Sequence, residues 1–359
     1  MSQVNVAIAG VGSCASSLVQ CVAMARSGQG GSLGVMFDHI GGYQVADLRF
    51  VACFDVDKAK VGLDLATAIQ PPLTSATRYL GVDPTGVIVE AGPALDGIGG
   101  KLTDVVAVHA DAETADLRQV TERLRESGAD VLVCLLPTGA TQAVRAYARA
   151  AAVAGVGFVN ATPEPVAVDP ELNRLFQERR AVLLGDDLRS HLGATTLHTA
   201  VIELFHSRRL EVRNTYQLNV GGNTDFLNLS DTQRAAGKRR SKRSALAAAG
   251  IDASDVSAGP NGFIKYLGDT KDCYIRVEAA SVLGSPVTLD IRLQVEDSPN
   301  AAGVLLTALR LAKLAADQGE AGVIVAACPT LFKNPPQGAS ESQGLRLLRA
   351  YLRQPPDQE

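Results

Sequence analysis

Fully apolar runs of strand length recur through the first half of the chain: VNVAIAG at 4–10, FVACFD at 50–55, VVAVHA at 105–110, VLVCLLP at 131–137, GFVNA at 157–161 and AVLLGD at 181–186. Ala-, Leu- and Arg-rich stretches with helical patterning, such as 113–126 and 139–154, lie between most of them. Strands apolar on both faces that alternate with helices predict an α/β chain with a doubly wound parallel sheet covered on both sides.

The pattern changes after about residue 208. TYQLNV (215–220), CYIRVEAA (273–280) and VTLDIRLQVE (287–296) are separated by Gly- and Asn-rich turns. LDIRLQVE puts Leu289, Ile291, Leu293 and Val295 on one side and Asp290, Arg292, Gln294 and Glu296 on the other. That alternation predicts an open sheet with one exposed face. A long helix is expected from Asn300 to about Asp317, then an apolar strand, GVIVAAC, then an amphipathic helix, SQGLRLLRAYLRQ, ending at Pro355. No internal repeat or low-complexity linker interrupts the chain.

At 359 residues the chain favours two domains over one. Apolar content of 46% with 20% charged residues excludes a disordered chain. A basic run, GKRRSKRS at 237–244, stands out against a formal net charge of −4 and a pI near 5.8. The run lacks interleaved aromatics and the whole chain is acidic, so a nucleic-acid partner is not expected. No apolar stretch approaches the roughly 18–20 residues that span a bilayer, and no charged n-region precedes the first strand, so neither membrane nor signal peptide is expected. The six cysteines are scattered without a CxxC pair. A disulfide framework or metal cluster is therefore not expected, and a reducing cytoplasm is.

AGVGSCASS follows the first strand and opens a helix, fitting G-x-G-x-x-A with Gly10, Gly12 and Ala15 in place. Gly10 would permit the tight turn, Gly12 the close approach of a pyrophosphate, and Ala15 the packing of helix on sheet. Small residues are also common in βα turns, but this motif sits at the first strand of a Rossmann-type pattern. The second strand ends in FDVD, and Asp55 there is suited to the ribose hydroxyls of NAD. Asp55 lies about 45 positions past Gly10 where roughly 20 is usual, so a long insertion, RSGQGGSLGVMFDHIGGYQVAD, must separate the first helix from the second strand.

GDDLRSHLGATT (185–196) ends another strand and opens a helix, an arrangement that can hold a phosphate at the amides or be a plain N-cap. NVGGNTDFLNLSDTQ brings Asp225 thirteen residues before Lys238; GDTK offers Lys271, VEDSPN offers Asp297 and LFKNPP offers Lys333. Taken singly, each reads as an ordinary solvated surface residue.

Taken together, GVGSCASSLVQ, FVACFDVDKAKVGLDL, AGPALDGIGG, FVNATP, GDDLRS, NVGGNTDFLN, KRRSK, GDTK, EDSPNAAGV and LFKNPP resemble, in order and spacing over almost the whole chain, the short bacterial form of the inositol-1-phosphate synthase family (myo-inositol-3-phosphate synthase). Relatives share the long insertion. The resemblance implies a reaction without net redox change: C5 of glucose 6-phosphate is oxidised by bound NAD, the C6 enolate attacks the C1 aldehyde, and C5 is reduced again. Developing enolate and alkoxide charge calls for fixed ammonium groups, and the proton transfers call for a lysine of lowered pKa.

By the resemblance, Lys238 and Lys242 are the two functional lysines of the basic run, four apart on one helix face, with Arg239 and Arg240 solvated. Lys271 would handle the C5 hydroxyl proton, and Lys333 is a further site lysine. Asp187 would lie near the nicotinamide, with Asp225 and Asp297 orienting lysines or water. Gly10, Gly12, Ser13, Cys14, Asp55, Pro137, Thr138 and Asp187 would hold NAD; Ser190, His191 and Lys242 would grip the substrate phosphate. The resemblance further implies a homotetramer, a nucleotide-binding domain of residues 1–206 plus 297–359, and a catalytic and tetramerisation domain of 207–296. The family also uses a cation, monovalent or divalent; no cluster here has clear metal-ligand spacing, so the metal is left open.

Three positions depart from the family pattern. Ser13 stands where relatives commonly have Asn, Arg189 where GDD-x-K-S has Lys, and His191 where bacterial relatives usually have Gln. Arginine's planar fork is not equivalent to an ammonium. These departures keep open a paralogue that cyclises another sugar phosphate, such as fructose 6-phosphate to a five-membered ring. A non-catalytic NAD-sensing protein would have lost some of the charged positions, and none is lost.

Overall fold

The computed structural model describes residues 3–28, 34–248 and 258–354, except the side chains of Ala236, Ser241, Lys242 and Ala248. Seven strands form a parallel sheet: β1 (Val4–Ala9), β2 (Leu48–Asp55), β3 (Val89–Ala91), β4 (Val131–Cys134), β5 (Gly157–Asn160), β6 (Val182–Leu184) and a two-residue strand at Gly322–Val323. In their spatial order β1 lies between β2 and β4, with β3 beyond β2 and β5, β6 and the short strand beyond β4. Successive β1 side chains enter opposite layers: Val6 and Ile8 pack under the Ser13–Arg26 and Asp297–Asp317 helices, Ala7 and Ala9 under the helices Leu117–Glu126 and Thr141–Ala154. Burial on both faces explains why these strands are apolar throughout.

Two expected strands differ. VVAVHA is not a strand: Val89–Ala91 takes the sheet edge by pairing with Cys53–Asp55, and Val105 is left exposed above the cavity described below. GVIVAAC contributes only Gly322–Val323 before the chain turns into the short Cys328–Leu331 helix. The long helix starts at Asp297, three residues before the expected Asn300.

The second sheet has four strands: β7 (Glu211–Gly221), β8 (Ala258–Phe263), β9 (Thr270–Ala280) and β10 (Pro286–Glu296), in the order β10–β9–β7–β8. β9 pairs antiparallel with β7 and β10, while β8 runs parallel to β7. One face, with Cys273, Ile275, Val277 and Ala279, packs on the Ala194–Ser207 helix through Val201, Ile202 and Phe205. The other presents Tyr216, Tyr274 and Arg292 to solvent, as the alternation predicts.

The insertion before β2 is tied down by Arg310, whose side chain is fully buried. It donates to the carbonyls of Phe37, Asp38, Tyr43 and, within its own helix, Leu306.

Candidate active site

The turn after β1 opens one end of a cavity of about 440 Å³. Gly10 has φ +94°, and a Cβ there would meet the Leu135 carbonyl oxygen at 2.8 Å. Gly12 caps the Ser13–Arg26 helix without a side chain, and a Cβ there would meet nothing within 4 Å. A helix N-terminus with free amides thus faces open space beside backbone that only glycine clears, which fits a pyrophosphate. Asp55, at the end of β2, accepts hydrogen bonds from the amides of Val11 (2.7 Å), Val56 (2.7 Å) and Asp57 (2.9 Å). It therefore braces the glycine turn as well as lining the cavity. Cys14, Pro137 and Thr138 also line the cavity, Thr138 Oγ1 reaching Asp225 Oδ1 at 3.3 Å, and Ser13 Oγ accepts from the Ser75 amide at 3.0 Å. Burial pushes the Cys14 thiol up to about 12, helped by Asp297, Asp269 and Asp225, so it is a neutral wall. These residues fit a dinucleotide.

At the other end, cations and carboxylates interleave. The Lys333 ammonium donates to Asp187 Oδ1 at 3.0 Å and to the Leu188 carbonyl at 2.6 Å. Lys238 Nζ lies 3.7 Å from both Asp187 Oδ1 and Asp225 Oδ2. Lys271 donates to Asp297 Oδ1 at 2.9 Å. Burial pushes the Lys333 amine down to about 8; Asp187 opposes the fall, and the Lys238 and Lys271 charges add to it. Burial would lower Lys238 too, but Asp187, Asp225 and Asp297 outweigh it and hold that ammonium above the usual lysine range. Asp297 is desolvated, which alone would raise it, yet Lys271, Lys238 and Lys333 hold it below the usual carboxylate range.

The backbone places these groups. Residues 186–189 run against 331–334 through Lys333 N–H to the Asp187 carbonyl (2.7 Å) and Asn334 N–H to the Asp186 carbonyl (3.0 Å). Asp187 itself is fully buried behind the two lysines. Lys238 comes from the Thr232–Ala248 helix, whose Arg239 and Arg240 are exposed, as expected. Asn223 caps the Thr224–Leu229 helix and so presents Asp225. Ser190, Ala194, Thr195 and Thr196 line the cavity at the N-terminus of the Ala194–Ser207 helix, which offers amides and hydroxyls to an anion.

The remaining expectations divide. The Lys242 side chain lies outside the described residues. His191 is exposed and packs against Gly303 rather than lining the cavity. Arg189 lines the wall, but its guanidinium goes to the Phe332 carbonyl (3.1 Å) and to Glu341. Asp186 is an anchor: it accepts from Asn160 Nδ2 (2.7 Å) and the amides of Val166 and Ala167 (3.0 Å each), with burial pushing it up to about 6. Asp269 likewise accepts from Ser298 and Asn223 and fixes the start of the Asp297–Asp317 helix. Among the described residues, no group of three or more His, Cys, Asp or Glu is placed to hold a metal ion, and no helix is long and apolar enough to cross a membrane.

Sequence reasoning missed Lys60. It is buried beside the glycine turn, donates to the Val11 carbonyl at 3.0 Å, and lies 3.9 Å from Asp55 and 3.8 Å from Asp57. Its signal was the DVDKAK segment, where a lysine follows two acids at the end of β2.

The sequence profile of the family described as Myo-inositol-1-phosphate synthase matches residues 193–298. The inositol-3-phosphate synthase of Mycolicibacterium smegmatis is 41% identical over 98% of this chain and 98% of its own. A crystal structure of a myo-inositol-1-phosphate synthase-related protein from Thermotoga maritima superposes with TM-score 0.83 at 25% identity, covering 99% of this chain and all of its own. The crystal structure of a protein named Ari2 gives TM-score 0.79 at 37% identity, covering 98% of this chain and 99% of its own.

Proposed function

The chain belongs to the myo-inositol-1-phosphate synthase family, an isomerase family, and from that premise we propose that it cyclises glucose 6-phosphate to 1L-myo-inositol 1-phosphate with catalytic NAD. The observation that carries this reading is the convergence of Lys238, Lys271 and Lys333, each against an aspartate, on a cavity whose other end is a glycine-opened nucleotide cradle.

Gly10, Gly12, Ser13, Cys14, Asp55, Pro137 and Thr138 hold NAD, with Asp187 at its nicotinamide end. NAD, when bound, supplies the reversible two-electron oxidation at C5 that leaves no net redox change. Ser190 and the amides after it hold the substrate phosphate, together with Lys242. Lys271, oriented by Asp297, exchanges the C5 hydroxyl proton. Lys333, with a pKa near 8, takes a proton from C6. Lys238 stays charged between Asp187 and Asp225 and stabilises the enolate and alkoxide oxygens. Residues 1–206 with 297–359 form the nucleotide half; 207–296 forms the catalytic half, whose exposed sheet face builds a homotetramer.

The test is incubation with glucose 6-phosphate and catalytic NAD, followed by phosphatase and NMR of the product. Inositol without net NADH supports the reading. No inositol, with a five-membered cyclitol from fructose 6-phosphate, overturns it. Of the three departures from the family pattern, Arg189 engages its guanidinium with the Phe332 carbonyl and Glu341, and His191 does not line the cavity, which favours the inositol product.

A further inference from the structure

Arg189 sits between two working residues, Leu188, whose carbonyl receives the Lys333 ammonium, and Ser190, on the cavity wall. It is 5% exposed, and all its polar reach is directed backwards. Its backbone N–H donates to the Leu331 carbonyl (2.9 Å), its Nε to the Phe332 carbonyl (3.1 Å), and its guanidinium to the Glu341 carboxylate. Glu341 opens the Glu341–Leu352 helix, and its own amide donates to Glu203 on the Ala194–Ser207 helix.

We propose that Arg189 is a positioning residue: its fork clamps the Leu331–Lys333 segment to the start of the Glu341–Leu352 helix and so fixes where the Lys333 amine stands in the cavity. The inference rests on the role given to Lys333 under the proposed function and adds a cause for its placement. The two acceptors lie on different segments, one a backbone carbonyl and one a carboxylate, and a planar fork reaches both at once. A lysine at this position keeps the charge but offers a single point of donation. The Phe332 carbonyl belongs to the residue directly before Lys333, so slack there passes to the Lys333 backbone. That backbone is further held by the Lys333 N–H bond to the Asp187 carbonyl and the Asn334 N–H bond to the Asp186 carbonyl. Looser packing admits water to the amine and relieves the burial that keeps it deprotonated.

The experiment follows Lys333 without relying on turnover. The pH dependence of Lys333 acylation by a limiting amine reagent, read by peptide mass spectrometry, is compared in wild type, R189K, R189A and E341Q, with NAD affinity measured on the same samples. Expected is an upward move of the Lys333 titration midpoint by about one pH unit in R189A and less in R189K and E341Q, with NAD affinity retained. In turnover, kcat falls by roughly 10-fold or more while KM for the sugar phosphate changes little, because geometry at the reacting atoms is lost and not phosphate binding. Should R189A fail to fold, R189K and E341Q carry the comparison. Identical Lys333 midpoints and kcat in all folded variants overturn the proposal. A wild-type protein that makes no cyclitol phosphate overturns the proposed function instead, and the acylation profiles still decide the role of Arg189.

Discussion

Asp187 and Lys333 hold each other twice: the Lys333 ammonium donates to Asp187 Oδ1 at 3.0 Å, and the Lys333 backbone N–H donates to the Asp187 carbonyl at 2.7 Å. Side chain and main chain are held to one residue, so the amine cannot swing out without giving up its bonds to Asp187 Oδ1 and the Leu188 carbonyl.

The first prediction concerns pH. Burial lowers the Lys333 amine to about 8, so near that pH about half is deprotonated, against well under one per cent for an ordinary lysine near 10.4. The neutral amine is the form that takes a proton. Turnover therefore rises with pH through about 8 and levels off above it. K333R cannot release its proton; this limb disappears and kcat falls by roughly 10²–10⁴. A pH profile that is flat from 6.5 to 9 in wild type refutes the assignment.

Lys238 has the opposite task. Its charge is held by Asp187 and Asp225, and that same charge helps lower Lys333. K238M should lower kcat by roughly 10²–10³, the usual loss on removing one group that faces developing negative charge. The remaining activity should have its acid limb displaced to higher pH. Steady-state rates across pH, with an NAD titration as control, check both parts.

The two glycines separate folding from binding. Gly12 has φ −100°, which alanine adopts freely, and its Cβ would enter open cavity. G12A should melt like wild type yet bind NAD about tenfold or more weakly, because the methyl occupies the approach to the pyrophosphate. G10A combines φ +94° with a 2.8 Å clash against backbone and should lose roughly 1–3 kcal/mol of stability. Thermal melts and NAD titrations of both variants are decisive; equal melting losses would sink the distinction.

Arg310 is a stability residue. R310M leaves the buried Phe37 carbonyl without its donor and removes the Asp38 bond as well, at a cost of roughly 3 kcal/mol. The urea midpoint should drop while kcat of the folded fraction stays unchanged.

Most of the parallel-sheet half was legible because its strands are buried on both faces. VNVAIAG, FVACFD, VLVCLLP and GFVNA have no other stable placement. VVAVHA carries the same composition, yet the sheet has one edge to give, and the Val89 backbone, paired to Cys53, holds it. Competition for an edge leaves no trace in local pattern. The site lysines were legible only as a set, since each lies in a polar segment that reads as surface by itself. Neither the turn of the Arg189 guanidinium to Phe332 and Glu341 nor the exposure of His191 could be read from their places beside Ser190 along the chain. Lys60 was missed because a lysine beside acids reads as a solvated surface pair, although DVDKAK carried its signal, and Arg310 because a buried cation held by carbonyls has no sequence partner of opposite charge to announce it.

The Asp297–Asp317 helix covers the same face of the central sheet as the Ser13–Arg26 helix, yet it follows β6 by more than a hundred residues. During synthesis, at about 5–20 residues per second, that half of the sheet emerges with an apolar face uncovered for on the order of ten seconds. Val6, Ile8, Val131, Val133 and Val159 must wait for Leu305, Leu309 and Ala312 to arrive. The nascent chain thus carries exposed apolar surface over that interval, and a product stopped before residue 297 keeps that face bare.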